Sequence, residues 1–179
     1  MTLLGVALFA WSAPLRAQGT LPAAGMYAVD AAGSAVTFNV TNFVVTSVDG
    51  RFGTFDGRVV VGDSLATTSV EASVLVASID TGNKQRDDHL RTADYFDVAR
   101  FPTMTWKSSQ LWGSPDNVGM KGTLTIHGVS RETVFSGRIV DGGVIRAETT
   151  VDRRNFGITS GASISNDVRL RLQIRLAKS

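Results

Sequence analysis

The stretch VRLRLQIRL, residues 168–176, alternates without a break: Val168, Leu170, Leu172, Ile174 and Leu176 fall on one side, and Arg169, Arg171, Gln173 and Arg175 on the other. Successive side chains of an extended strand point to opposite faces, so this pattern requires one dry face and one wet one. The same period governs most of the chain from Met26 onward. In SAVTFNVTNF, residues 34–43, Val36, Phe38 and Val40 share a face while Thr37, Asn39 and Thr41 take the other. Similar segments run over about 52–61, 70–79, 103–111, 118–126, 133–140 and 144–152, separated by Gly, Asp, Asn and Ser clusters such as VGDS, GSPDN and VDGG. Roughly eight short strands at close spacing predict an all-β antiparallel sandwich or barrel, not βαβ units.

Bulk properties agree with one folded domain. The chain has 179 residues, enough for one full core and too few for two. With 43% hydrophobic and only 19% charged residues, it can bury enough apolar surface to offset its ordering entropy. Eighteen basic residues against 16 acidic ones leave a formal charge of +2, no general electrostatic footprint for nucleic acid. There is no cysteine, which removes disulfides and thiolate metal sites and leaves any zinc site to His89, His127 and carboxylates without supporting spacing. No metal and no cofactor are expected.

Residues 1–17, MTLLGVALFAWSAPLRA, read as a signal peptide: an apolar run from Leu3 to Trp11, a break at Pro14 and Ala17 at a cleavage position, though with no basic residue ahead of the run. The run is too short to span a bilayer. Its removal takes away Arg16 alone, leaving 17 basic residues against 16 acidic ones. The expected destination is the periplasm or the exterior, with no stable membrane insertion.

One internal segment breaks the period-two rhythm: SIDTGNKQRDDHLRTADYFDVARFP, residues 78–102. Asn83 is placed to cap a short helix running to about Thr92, and Pro102 excludes Phe101 from helical geometry. Within it Leu90 and Ala93 are expected to face inward, with Tyr95 and Phe96 as further anchors, while Lys84, Arg86, Asp87, Asp88 and Arg91 are solvated. The segment supplies a histidine beside two aspartates, but helix neighbours one and two residues apart point away from each other, so adjacency assembles no dyad. No G-x-S-x-G elbow accompanies it. The favoured reading of His89 is structural, a ring nitrogen bonded to a backbone carbonyl or to Asp87, and His127 reads as a turn residue ahead of Gly128.

Binding leaves more trace than catalysis. If the strands close into a barrel, the apolar stripes face one interior, filled by side chains or by a ligand. The inward set is Val36, Phe38, Val40 and Phe52, then Val70, Val74 and Val76, then Met104, Trp106, Met120, Leu124 and Ile126. Period two alone does not separate a packed interior from a hollow one.

Together the segments resemble the YceI-like family of secreted polyisoprenoid-binding proteins over Met26 to Ala177. YAVDAAGSAVTFNV is similar to the family's opening strand and RFGTFDGRV to its second. SIDTGNKQRDDHLRTADYFDVARFPTMTWKS is close to its most recognisable block, and GTLTIHGVSRETV, VDRRNFGI and ISNDVRLRLQI follow in order. The resemblance implies an extended eight-stranded lipocalin-like barrel over residues 26–177, a helical lid over one end, a homodimer, and a long isoprenoid or related amphiphile in the lumen. Gly33 and Asn42 stand where the family commonly has histidines, which bears on the head group contacted. Burying about ten methylene groups at about 0.8 kcal/mol each gives about 8 kcal/mol, a micromolar affinity before ordering costs.

The expected function is therefore non-enzymatic lipid binding, for carriage, storage or stress response. Its ligand-binding residues are Val36, Phe38, Val40, Asn42, Phe52, Val74, Val76, Met104, Trp106, Leu124 and Ile126, with Arg86, Asp87 and His89 as polar mouth or lid. Two alternatives stand beside it: an exported hydrolase or isomerase with His89 and Asp87 at the cavity mouth, and an interaction protein whose barrel is incidental.

Overall fold

The computed structural model describes residues 19–42, with Asn42 by its backbone alone, 46–140 and 143–179. The segment assigned to a signal peptide lies outside the described residues, Ala17 included. Twelve strands form among the described residues: β1 (Gly25–Val29), β2 (Ala35–Asn42), β3 (Ser47–Phe52), β4 (Phe55–Val61), β5 (Ser69–Leu75), β6 (Ile79–Asp80), β7 (Thr103–Ser114), β8 (Asn117–Ile126), β9 (Val129–Val140), β10 (Val144–Asp152), β11 (Ile164–Ile174) and β12 (Leu176–Lys178). One α-helix among the described residues, α1 (Lys84–Leu90), lies between β6 and β7.

Several of these strands continue one another. β1 runs into β2 past residues 30–34, β3 into β4 past Gly53 and Thr54, β5 into β6 past the 3₁₀ turn Val76–Ser78, and β11 into β12 past Arg175. Joining these four pairs turns twelve strands into the expected eight. Each long strand pairs antiparallel with the next in the chain, and the last pairs with the first: Val168 stands opposite Val40 and Leu172 opposite Val36, while Leu176 stands opposite Val29. The sheet is thus an up-and-down barrel closed on itself.

The breaks have local causes. Between β1 and β2 the chain bulges through a 3₁₀ turn, Ala31–Gly33, capped by the Asp30 carboxylate accepting from the Ala32 amide at 3.2 Å. The neighbouring strand bridges the bulge: the Asp30 amide donates to the Arg175 carbonyl at 2.9 Å, and the Arg175 amide donates to Ser34 Oγ at 2.9 Å. Gly33 sits under the Arg175 side chain, where a Cβ would lie 2.6 Å from Arg175 Cδ. A histidine there would have to displace that side chain. At the β8–β9 hairpin His127 and Gly128, at φ of 52° and 72°, make the two-residue turn, whose twist demands a positive φ at both positions.

The segment between β6 and β7 crosses one end of the barrel. Asn83 Oδ1 accepts from the Arg86 amide at 3.0 Å and caps α1, as expected. The helix ends at Leu90, two residues short of Thr92, because the chain then turns back, with the Phe96 amide donating to the Leu90 carbonyl. Ala93 is exposed rather than inward. Arg91 is not solvated: Nε and Nη2 donate to the carbonyls of Ala77 and Ile79, both at 2.9 Å, which satisfies the otherwise open edge of β6. At the same barrel end lie the β8–β9 turn and the connection 153–163, and Phe156 and Ile158 there pack with Phe52, Ile79 and Met104. A second core cluster around Leu111, Val118, Phe135 and Ile139 fills the opposite end, which Leu21 also covers.

Gly122 faces the interior beneath Trp106, and a Cβ there would fall 2.4 Å from the Lys107 carbonyl oxygen and 2.8 Å from Trp106 Cζ2. Gly122→Ala is expected to cost about 1–3 kcal/mol of stability through overpacking, read as a lower urea midpoint at unchanged slope; an unchanged midpoint would contradict this packing.

Candidate ligand-binding site

The inward faces differ in how completely they are covered. Met104, Leu124 and Ile126 are buried, whereas Val36, Phe38 and Val40 of β2, and Val168, Leu170, Leu172 and Ile174 of β11, are only half-buried although they point away from bulk solvent. Those half-buried side chains border a partly open space. It is a lumen of about 350 Å³ running along the β2, β3, β5 and β11 walls, at the small end of ligand-site volumes.

Of the expected binding residues, Val36, Phe38, Val40, Phe52 and Val74 line this lumen, as do Met104, Trp106, Leu124 and Ile126; Val70 and Met120 also reach it. Val76 does not. It is 1% exposed inside the packed core, because the Val76–Ser78 turn breaks the strand period at that point and rotates its side chain off the wall. Asn42 ends β2 with its backbone opposite Ile164, and its side chain lies outside the described residues. The expected set omitted the β10–β11 wall, Ile145, Val151, Val168, Leu170, Leu172 and Ile174. The signal was present in the alternation of VRLRLQIRL, but alternation identifies a dry face without saying what lies against it.

At the lid end Leu90, Tyr95 and Phe96 line the lumen, and Arg86 is the lid cation that joins them. Thr81 organises this corner. Its hydroxyl donates to Asp87 Oδ1 at 2.5 Å and accepts from Arg86 Nε at 2.8 Å, while its carbonyl accepts from Arg86 Nη2 at 2.9 Å. Asp87 also accepts from the Thr81 amide at 3.0 Å and is buried. So Asp87, expected in solvent or at the mouth, instead fastens α1 to the end of β6. Arg86 is half-buried with two donors held on Thr81, and its Nη1 has no partner among the described residues.

His89 lies away from the lumen. Its ring is exposed, Nε2 stands 3.6 Å from Asp94 Oδ2, and Tyr95 meets it edge-on at 5.0 Å between centroids. The expected bond to Asp87 or a backbone carbonyl is replaced by this pair, since α1 turns His89 outward while Asp87 turns in. Neither group needed for a hydrolase at the cavity mouth borders the cavity. The exposed Asp88 is bound by Lys84 at 2.5 Å and Arg91 at 3.0 Å, and the Lys84 ammonium, ahead of the Arg91 charge, holds its carboxyl below the usual range.

Arg153 also lines the lumen, and no role was expected for it. It is buried, with Nε donating to the Ser165 carbonyl at 3.1 Å, Nη1 to Ile158 at 3.0 Å and to Ser160, and Nη2 to Gly161 at 3.0 Å and Ile164 at 3.3 Å. All five N–H groups are spent on carbonyls of residues 158–165, so Arg153 shapes the loop that closes the lumen and has no donor left for a ligand. Trp106 stands edge-on to Phe135 at 5.5 Å, and its buried Nε1 has no partner among the described residues. Among the described residues no three His, Asp or Glu side chains gather as a metal site, and no helix is long and apolar enough to cross a membrane. The site can hold a hydrocarbon tail along its walls and one hydrogen-bond acceptor at Arg86.

Residues 27–176 match the family model described as a YceI-like domain. A UPF0312 protein of Vibrio cholerae is 29% identical over 96% of this chain and 96% of its own length, and one of Pseudomonas aeruginosa is 25% identical over 96% and 92%. Among solved structures, Burkholderia cenocepacia BcnA matches with a TM-score of 0.78 at 22% identity, covering 84% of this chain and 99% of that one. A polyisoprenoid binding domain from Saccharophagus degradans implicated in plant cell wall breakdown matches at 0.67 and 17% identity, over 86% and 98%. Both likenesses show a shared fold.

Asp87→Asn keeps the shape of the corner but weakens its charge-assisted bonds, and is expected to cost about 1–3 kcal/mol and to speed amide exchange across residues 81–102. His89→Ala should leave both the melting temperature and the exchange of that segment nearly unchanged.

Proposed function

The chain belongs to the YceI-like domain family, and on that footing we propose that it binds a long-chain isoprenoid or similar amphiphilic lipid in its barrel lumen. One observation carries the reading: a wall built almost wholly from apolar side chains of the barrel strands lines a space of about 350 Å³, with Arg86, whose Nη1 has no partner among the described residues, at the lid end. An apolar wall rewards every methylene removed from water, at about 0.8 kcal/mol each. A tail therefore supplies affinity, and length and girth supply selection. The fold shared with a domain named for polyisoprenoid binding supports the same ligand class.

The tail runs along β2 and β11, and the head group lies at the lid end, where Arg86 Nη1 donates to its oxygen. Thr81 pre-orients the guanidinium, so little rotamer entropy remains to be lost on binding. Binding is favoured over turnover because His89 faces solvent and Asp87 is committed to Thr81. The chain acts as an exported carrier or store, in the periplasm or outside the cell.

Organic extraction of protein purified from its native host, followed by mass spectrometry, should release an isoprenoid or acyl species in stoichiometric amount. Ala72, half-buried on β5 opposite Trp106, lines the lumen. Ala72→Phe should fill that space and abolish the extractable lipid while the protein stays folded. Arg86→Gln should retain the tail but weaken binding by about 10- to 100-fold, followed by quenching of tryptophan emission. A folded protein with no extractable lipid, whose emission responds to no isoprenoid, would overturn the reading.

A further inference from the structure

The outer wall of the barrel is not uniform in charge. On the β4–β5–β7 side, cations meet carboxylates across strands: Glu71 lies 2.7 Å from Lys107 and 3.6 Å from Arg58, and Arg51 lies 2.8 Å from Asp80 on the β3–β6 pair. The β9–β10–β11 side is built differently. Arg146 of β10 stands opposite Arg138 of β9 on one flank and Gln173 of β11 on the other, and Arg169 stands opposite Thr150 and Asn39. Carboxylates stand here too: Glu132 of β9 lies 3.0 Å from Lys121 of β8 and Glu148 of β10 lies 3.9 Å from Arg171 of β11, which leaves Arg138 and Arg146 without an ion-pair partner among the described residues, and Asp167 borders the patch at the lid end, opposite Asp152, which Arg154 holds. Like charges directly opposite each other on a sheet destabilise it, so the Arg138–Arg146 pair carries a structural cost of its own.

Next to this cationic band the same wall exposes apolar surface. Trp112 of β7 is 42% exposed and Val134 of β9 is 44% exposed. Gly119 lets the indole lie flat on the wall, since a Cβ there would fall 2.2 Å from Trp112 Cε2. In register, Trp112 stands opposite Gly119, Gly119 opposite Ser136, Ser136 opposite Glu148 and Glu148 opposite Arg171. The indole thus lies over β8, beside the Arg138–Arg146 pair that spans β9 and β10. Arginines adjoining an exposed tryptophan match the chemistry of an anionic bilayer surface, phosphates for the guanidinium groups and the headgroup boundary for the indole.

We propose that the outer face of β8–β10 docks reversibly on a membrane surface rich in anionic phospholipid, with Arg138 and Arg146 against the phosphates and the Trp112 indole, which lies over Gly119 of β8, at headgroup depth. This inference stands apart from the identity of the cargo.

The test is co-sedimentation of the purified protein with vesicles of phosphatidylglycerol and phosphatidylcholine, against phosphatidylcholine alone. Binding is expected only to the former, lost at about 0.5 M NaCl, with Trp112 emission shifted to the blue; the shift should vanish in Trp112→Phe. Arg138→Gln with Arg146→Gln should weaken binding by about 25-fold, about fivefold for each arginine. Glu148→Gln should strengthen it, and Arg51→Gln on the opposite wall should leave it unchanged. The mass of co-purified lipid, read on the same preparations, should be unaltered in all of them, which separates this outcome from failure of the cargo reading. Equal binding to phosphatidylcholine, an unchanged affinity in the double variant, or capture by heparin or DNA without vesicle binding would overturn it.

Discussion

Closure of the sheet by its own ends is the constraint on which the rest of the molecule depends. β11 and β12, near the C-terminus, pair with β2 and β1, near the N-terminus, and side chains reinforce the seam from residues 134 and 141 positions apart, through Thr37 to the Arg171 carbonyl and Ser34 to the Arg175 amide. Without that seam the meander would leave two open edges, each a row of unpaired amides and carbonyls. With it, every long strand has two neighbours, and strand number and tilt, not side-chain collapse, set the interior width. The bulge at Asp30–Ser34 belongs to the same device, since it lets one strand bend around the barrel without losing its partner.

A lumen follows from that geometry. Hydrogen bonds along the walls hold the strands apart, so side chains of ordinary size on β2 and β11, though they touch the core clusters, leave part of the interior unfilled. Those walls leave valines and leucines half-buried, a state that a packed protein interior normally avoids. An apolar ligand removes the deficit, and the fold thereby stores a preference for a hydrocarbon occupant before any specific contact is made.

Charged groups around the lumen serve mostly to hold its ends shut. Arg153 draws the carbonyls of residues 158–165 together, Arg91 covers the edge of β6, and Asp87 with Thr81 fastens α1. Arg86 is the lid cation that borders the lumen, and its Nη1 has no partner among the described residues. The segment that looked richest in catalytic side chains is thus chiefly a closure, its acids and bases consumed by backbone groups and by each other.

The all-β class, the eight-strand count, the helical interruption capped by Asn83 and part of the lumen wall were legible in the sequence, because period two and cap chemistry are local properties of neighbouring residues. Where the local period failed, so did the expectation. Val76 left the wall at a 3₁₀ turn, the break in 52–61 came at Gly53, and the β11 stripe that announced the fold was not recognised as binding surface. The direction taken by Asp87, Arg86 and His89 within one helical turn, the five-carbonyl grip of Arg153 and the hollowness of the core belong to the tertiary structure alone. Each depends on which distant strand closes against which, and alternation specifies that a face is dry without specifying whether another side chain or an empty lumen keeps it so.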